Sequence, residues 1–456
     1  MDIVQQSRVL VESLAMKNDL SRRQVLQFLS ACGLSFAVPG LSARAASLRR
    51  TERPKSLITL WMNGGMSQLE TWDPHPGTPT GGEVKEIGTT CKGLQISDML
   101  PQLAEQMHLC TIIRSLTSKE GDHERGSAFV KTGYRPEPTL KYPTLGAIAA
   151  HELPDAAIEI PQHVALAPAG FVTPEGGYLG NEWDAFRVFS PGDGLSNLKS
   201  TVSNDRQADR LKGLNVVSRQ FEERRQFGVK RTLHQNTLER ALTMMTSEQL
   251  KAFELDSETA AVRKAYGDTS FGKGCLVARR LVEVGVRSIE VNLSGFDTHV
   301  SNHEGHITQT KILDPAISTL LKELHDRDLL QSTIVLCMSE FGRTPGINPA
   351  GGRDHWPNWF SCMIAGGGFR EGTVIGATPS EMPKQSGNMQ MSSAGKILGP
   401  EDPVLVPELY ATILAAMGID ARKEIMTPVG RPIRFSDAMP LARLLKDDVA
   451  ASVIKS

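Results

Sequence analysis

The strongest constraint on this chain is a series of short, nearly continuous apolar runs. They are Leu57 to Met62, Leu109 to Ile113, His163 to Ala167, Ser288 to Leu293, Thr333 to Met338 and Phe360 to Ala365. Each is too short for a buried helix, and each is bounded by polar or Gly-marked stretches. Strands that are apolar on both faces belong to a sheet covered on both sides, and their alternation with helical segments favours parallel pairing. The expectation is therefore an α/β fold, a three-layer α/β/α sandwich around a central, mostly parallel sheet. Leu313, Ala316, Ile317, Leu320, Leu321 and Leu324 keep the i, i+3, i+4, i+7 spacing of an amphipathic helix that runs into the Thr333 strand. Another helix is punctuated by Pro407 at its start and Gly418 just past its end. Residues 197–283, rich in Arg, Glu, Gln and Leu, predict a helical insertion or flank.

The beginning of the chain reads as an address. Ser21-Arg22-Arg23-Gln24-Val25-Leu26 precedes a mild apolar run, Phe28 to Gly40, and then Ala43-Arg44-Ala45. Basic pair, apolar run and small-x-small site in that order resemble a twin-arginine signal, with cleavage before Ser47. The expectation is a 1–46 signal segment, one domain over 47–456, the twin-arginine export machinery as a partner, and a periplasmic or secreted product. Interrupted by Ser30, Ser35 and Pro39, the run is too short to span a bilayer, and no other stretch approaches a transmembrane span. With 50 Lys plus Arg against 51 Asp plus Glu, the chain has no global pull toward nucleic acid or an anionic membrane. The cysteines outside the signal, Cys91, Cys110, Cys275, Cys337 and Cys362, contain no CxxC pair, so neither a disulfide framework nor a thiolate zinc cluster is indicated. Cys110 and Cys337 end apolar runs and read as core residues.

In an open α/β sheet, ligands bind outside the carboxyl ends of the strands, so the polar residues just after each run are the candidates. After the Ser288 run come Asp297 and His299, with His303 and His306 behind; after the Thr333 run come Glu340 and Arg343, then Asp354 and His355. Asp297, His299, Glu340, Asp354 and His355 form a mixed oxygen and nitrogen set suited to one or two divalent ions. Zn²⁺, Mn²⁺, Mg²⁺ and Ca²⁺ all remain open. The bland alternative for each is a loop-anchoring hydrogen bond. Arg343 reads either as a bidentate clamp for an oxyanion or as a surface ion-pair residue. His303 and His306 read as exposed residues of a helix start, and His325 as solvated.

The segments LWMNGGMSQLETWDPHPG, DHERGSAFVKTGYRP, GFDTH, TIVLCMSEFGRTP, GRDHWP and PELYATILAAMGID together resemble the secreted family catalogued as domain of unknown function 1501. That family is a branch of the sulfatase and alkaline phosphatase-like superfamily, and the similarity covers nearly all of residues 55 to 440. The resemblance implies an alkaline phosphatase-like fold. It places Glu340 and Phe341 where the superfamily has a metal-binding Asp-Asn, and His299 and His355 at its metal or substrate histidines. Two positions depart from the pattern: Asn63 stands where the first strand ends in a metal-binding Asp, and His123 falls at the place of the Cys, Ser or Thr nucleophile. With those departures the implied function is a metal-dependent hydrolase of a phosphate or sulfate ester. Asn63 would join the metal ligands, and His123 would act as general acid or base or as a transient phosphoryl acceptor. Two alternatives stand beside it. One is a non-catalytic, sulfatase-like interaction protein that holds an anionic polysaccharide; the other is a different metal-dependent reaction such as phosphoryl transfer or isomerisation.

Overall fold

The computed structural model describes residues 56–454, except 169, 171, 197, 199–200, 224–232 and 387–388. The segment read as an export signal lies outside the described residues. Every apolar run is a strand of one nine-stranded sheet. In chain order its strands are β1 (Ser56–Asn63), β2 (Cys110–Thr117), β3 (His163–Leu166), β4 (Phe186–Val188), β5 (Ser288–Ser294), β6 (Thr333–Met338), β7 (Phe360–Gly366), β8 (Thr373–Ile375) and β9 (Val404–Leu405). Across the sheet the order is β8, β2, β7, β6, β1, β5, β3, β4, with β9 alongside β2. β1 pairs in parallel with both β5 and β6. Only β7 is reversed, antiparallel to β6 on one side and to β2 on the other.

The period of two in β1 explains the layers. Leu57 and Trp61 enter one apolar core, whereas Ile58, Leu60 and Met62 enter the opposite one. The first core is closed by helices α1 (His123–Thr132), α2 (Leu145–Glu152) and α5 (Val406–Met417); the second is closed by α3 (Ser270–Val284) and α4 (Asn302–Asp326). Each fully buried Leu or Ile there contributes about 1.5–3 kcal/mol relative to exposure. The result is the mixed, mostly parallel three-layer sandwich that the runs imply.

The helical stretch expected as an insertion contains helices Asn204–Glu223, Leu233–Thr246, Ala260–Tyr266 and α3. The last of these is an integral covering layer, because Cys275, Leu276, Val277, Ala278 and Leu281 are fully buried against the sheet. Among the described residues, no helix is long and apolar enough to cross a membrane.

Candidate metal centre

Because β1, β2, β5 and β6 run the same way, the loops that follow them emerge on one edge of the sheet. The reversed β7 adds a loop to that edge from the other direction: the segment that precedes it, containing Asp354 and His355, arrives where the others leave. A two-residue antiparallel pairing, His355 opposite Arg343, fixes that arrival. The loop after β1 lies directly on the loop after β5. A Cβ on Gly64, whose φ is +114°, would stand 2.5 Å from the Asp297 amide nitrogen, so only glycine fits.

Three histidines converge on Asp297. His123 opens α1 behind the cap Asp122, whose carboxylate accepts the Arg125 N–H at 3.0 Å. Its Nδ1 is 2.8 Å from Glu340 Oε1, and its Nε2 is 3.3 Å from Asp297 Oδ2. His355 directs Nδ1 at the Gly121 carbonyl (2.8 Å) and Nε2 at Asp297 Oδ1 (3.3 Å). His299 directs Nδ1 at Asp354 Oδ1 (2.7 Å), while its Nε2 is 3.0 Å from Asp297 Oδ1 and 3.0 Å from His355 Nε2. Each Nδ1 therefore faces an acceptor and carries the proton, a tautomer assigned from its partner. In the neutral rings each Nε2 presents a lone pair toward the same carboxylate. Lone pairs and a carboxylate crowded together require a cation between them, either a shared proton or a metal ion. Ligand atoms of His123, Asp297 and His355 all lie within 4.8 Å of one another. Buried acceptors behind ligating histidines are the usual outer support of such a site.

The charges agree with that need. Burial raises the Asp297 carboxyl, but the hydrogen bond and charge of Arg343, followed by His123, outweigh it and hold the pKa at about 2. Burial pulls His123 down, and Glu340 and then Asp297 more than compensate, so this ring holds a proton more tightly than usual. Burial lowers the His355 pKa, with the Gly121 carbonyl opposing only in part. Asp354 is kept ionised chiefly by its hydrogen bond from His299.

The remaining expected residues take other places. Arg343, expected either to clamp an anion or to sit in a surface ion pair, has a fully buried guanidinium that donates to the carbonyls of Gly65 (2.8 Å), Arg353 (3.0 Å) and Gly64, and to Asp297 Oδ1 (2.6 Å). Its N–H groups are spent inside the protein, and it holds Asp297 in position. Glu340 and Asp354 stand behind His123 and His299 as acceptors, and Glu340 Oε1 also receives the Gly64 N–H at 2.9 Å. Glu340 Oε2 and Asn63 Oδ1 are buried with no hydrogen-bond partner among the described residues. The Asn63 oxygen faces Gly170, whose Cβ position would be only 2.3 Å away. His325 is exposed as expected, but His306 is not: its ring is fully buried, accepting from Ser67 N at 3.0 Å and donating to the Asn302 carbonyl at 2.9 Å.

Residues that the sequence did not single out complete the frame. Buried Arg353 donates to Glu70 Oε1 at 2.9 Å, and Ser67 donates to the other Glu70 oxygen. Asn348 donates to the His299 carbonyl at 3.0 Å while its own oxygen accepts from Ala350 N and Gly352 N. Only adjacency to Asp354 could have flagged Arg353. Asn348, in a Gly- and Pro-rich loop, carried an ordinary turn signal.

Among solved structures the chain is similar to PsFucS1 sulfatase from Pseudoalteromonas sp. (10% identity, 82% of this chain and 70% of that one, TM-score 0.36). It is also similar to the lipoteichoic acid synthase LtaP from Listeria monocytogenes (8% identity, 90% and 81%, TM-score 0.38). A third similar structure is a TAB5 alkaline phosphatase variant with Mg bound in its M3 site (16% identity, 71% and 94%, TM-score 0.33). No curated protein matches the chain. Residues 54–445, which hold the whole sheet and every residue of the histidine cluster, match the family described as protein of unknown function (DUF1501), and the chain belongs to that family.

Proposed function

We propose that this protein is an exported, metal-dependent hydrolase that acts on phosphate or sulfate esters in the periplasm or outside the cell. The observation that carries the reading is the convergence of three imidazole Nε2 atoms on the two oxygens of Asp297. The two oxygens divide the labour. Oδ1 faces His299 and His355, and these three groups would hold a divalent ion. Oδ2 faces His123, which is left to take or give a proton at Nε2. The donor set fits such an ion, since it is all nitrogen and oxygen, has carboxylate and carbonyl support behind it, and includes two bare buried oxygens on Asn63 and Glu340 that offer donors to a second. A bound divalent ion would polarise the ester oxygen and lower the pKa of attacking water.

Around that ion the chain's own groups have fixed tasks. Arg343 keeps Asp297 ionised and oriented. Glu340 raises the proton affinity of His123, as a general acid or base requires. Asp354 and Gly121 hold the His299 and His355 rings with Nε2 forward. The second reading, a non-catalytic protein that binds an anionic polysaccharide, is favoured by one observation: uncharged Asn63 ends β1, in place of a carboxylate. Elemental analysis of protein purified without chelator, paired with aryl phosphate and aryl sulfate assays, separates the two. The hydrolase reading expects about one or two divalent ions and ester cleavage, both lost in His355→Ala and Asp297→Asn. Turnover that survives either substitution would sink it, and neither metal nor turnover would favour the binding protein.

A further inference from the structure

The histidine cluster is more open on one side than on the other. Side-chain exposure rises from 12% at His123 and 24% at His355 to 43% at His299, 47% at Asp297 and 55% at Asp354. A substrate therefore meets the centre from the His299 and Asp354 side. Three large apolar residues are exposed on segments that adjoin that opening: Val300 (63%), Ile347 (49%) and Met382 (42%). They come from separate segments that the structure ties together. Val300 follows His299 and its backbone bridges to Gly351. Asn348, beside Ile347, donates to the His299 carbonyl. The Met382 methyl lies 2.9 Å from where a Cβ on Gly346 would stand, next to Ile347.

Charge around the opening points the same way. Arg343 and Arg353 are fully buried and committed. Arg125 and Arg135 are exposed but both pair with Glu120. Asp354, and Glu304 in the first turn of α4, are exposed carboxylates, Lys119 in the loop that carries Gly121 is an exposed cation, and Glu381 and Lys384 flank Met382 with opposite signs. A polyanionic chain would meet exposed carboxylates as well as lysines at this mouth, whereas an apolar group would shed water against Val300, Ile347 and Met382.

We infer that this mouth receives the apolar alcohol portion of the ester, so that the preferred substrate is the monoester of an apolar alcohol rather than an ester carried on a polysaccharide. The inference rests on the hydrolase reading for its chemistry but not for its binding. Methyl, butyl and hexyl phosphate, kept below micelle concentrations, can be titrated calorimetrically against the metal-supplemented full chain and assayed for phosphate release. Binding should tighten about three- to four-fold per methylene over the first carbons, the factor that accompanies burying one CH₂. The double variant Val300→Ser, Ile347→Ser should flatten that series. Equal affinity for methyl and hexyl phosphate, or an undiminished slope in the double variant, overturns the inference. Chain-length-dependent binding without phosphate release leaves the apolar mouth standing and sinks the hydrolase instead; release that ignores chain length does the reverse.

Discussion

Arg343 shows how much a single side chain can do without touching a ligand. Its guanidinium stitches the loops after β1, β5 and β6 together and sets the ionisation of Asp297. Arg343→Met leaves buried carbonyls and a carboxylate without donors, each worth about 1–3 kcal/mol. Chemical denaturation should therefore register a loss of several kcal/mol together with loss of bound metal; a variant with wild-type stability would deny it this role. Glu70 and His306 give a pH prediction. Burial holds His306 neutral against the opposing pull of Glu70 and the Asn302 carbonyl, so its folded pKa lies below the ordinary value of about 6.5, and the unfolded chain binds more protons as pH falls through that value. For Glu70, burial raises the pKa but the Arg353 charge and the Ser67 hydrogen bond depress it, so its contribution is present above about 4.3 and is lost as pH falls through the lower folded value. Stability should decline in two stages on acidification, and His306→Gln should shrink the first, which buried His163 shares. Midpoints that stay level between pH 7.5 and 5.5 in the parent would contradict this. At this scale the sequence was legible where chemistry is declared by residue type, as with Asp297, His299 and His355. It named Arg343 as an anion clamp or a surface ion-pair residue and not as a buried strut, because no spacing reveals that a guanidinium faces inward, and it misread His306, whose helix-start position looks solvated until Ser67 is folded over it.

α1 carries His123 between two stops, the cap Asp122 and Gly133, which ends the helix at φ +75° with its Cβ position 3.0 Å from the Tyr410 ring. The two ends predict separable effects. Asp122→Ala should cost about 1 kcal/mol and lower ester turnover, since it frees the turn that positions His123. Gly133→Ala, which forces a left-handed alanine against an aromatic ring, should cost at least about 1 kcal/mol while leaving turnover intact. Thermal melts with ester assays of both variants check this; turnover lost equally in both would show that α1 positions His123 as a whole rather than through its first turn. The elements recoverable from the sequence were those with a strong period, namely the apolar strands and the helices α4 and α5. The two-residue pairing of Gly342–Arg343 with His355–Trp356 is too short to leave a pattern, yet it delivers His355. Nor does an apolar run disclose its direction, so the reversal of β7 had no signature in the sequence.

For the molecule as a whole, metal binding and stability are one equilibrium. If the cluster holds a divalent ion, free metal at about one hundred times its dissociation constant adds about 2.7 kcal/mol to the folded state, and chelation should lower the melting temperature by a few degrees. Asp297→Asn should melt identically with and without chelator; a parent protein indifferent to chelator would argue that the shared cation is a proton.

The sheet order gives β7 a further consequence. β2, which leads to His123, and β6, which leads to Glu340, touch only through β7, a strand made late in the chain. The two halves of the site are therefore not neighbours until that strand has slipped between them, against the direction of the rest. A nascent or truncated chain ending before residue 360 would own nearly every functional side chain and still possess no site. Uptake of the ion would then act as a checkpoint, marking that the long-range pairing of β2 with β7 has closed.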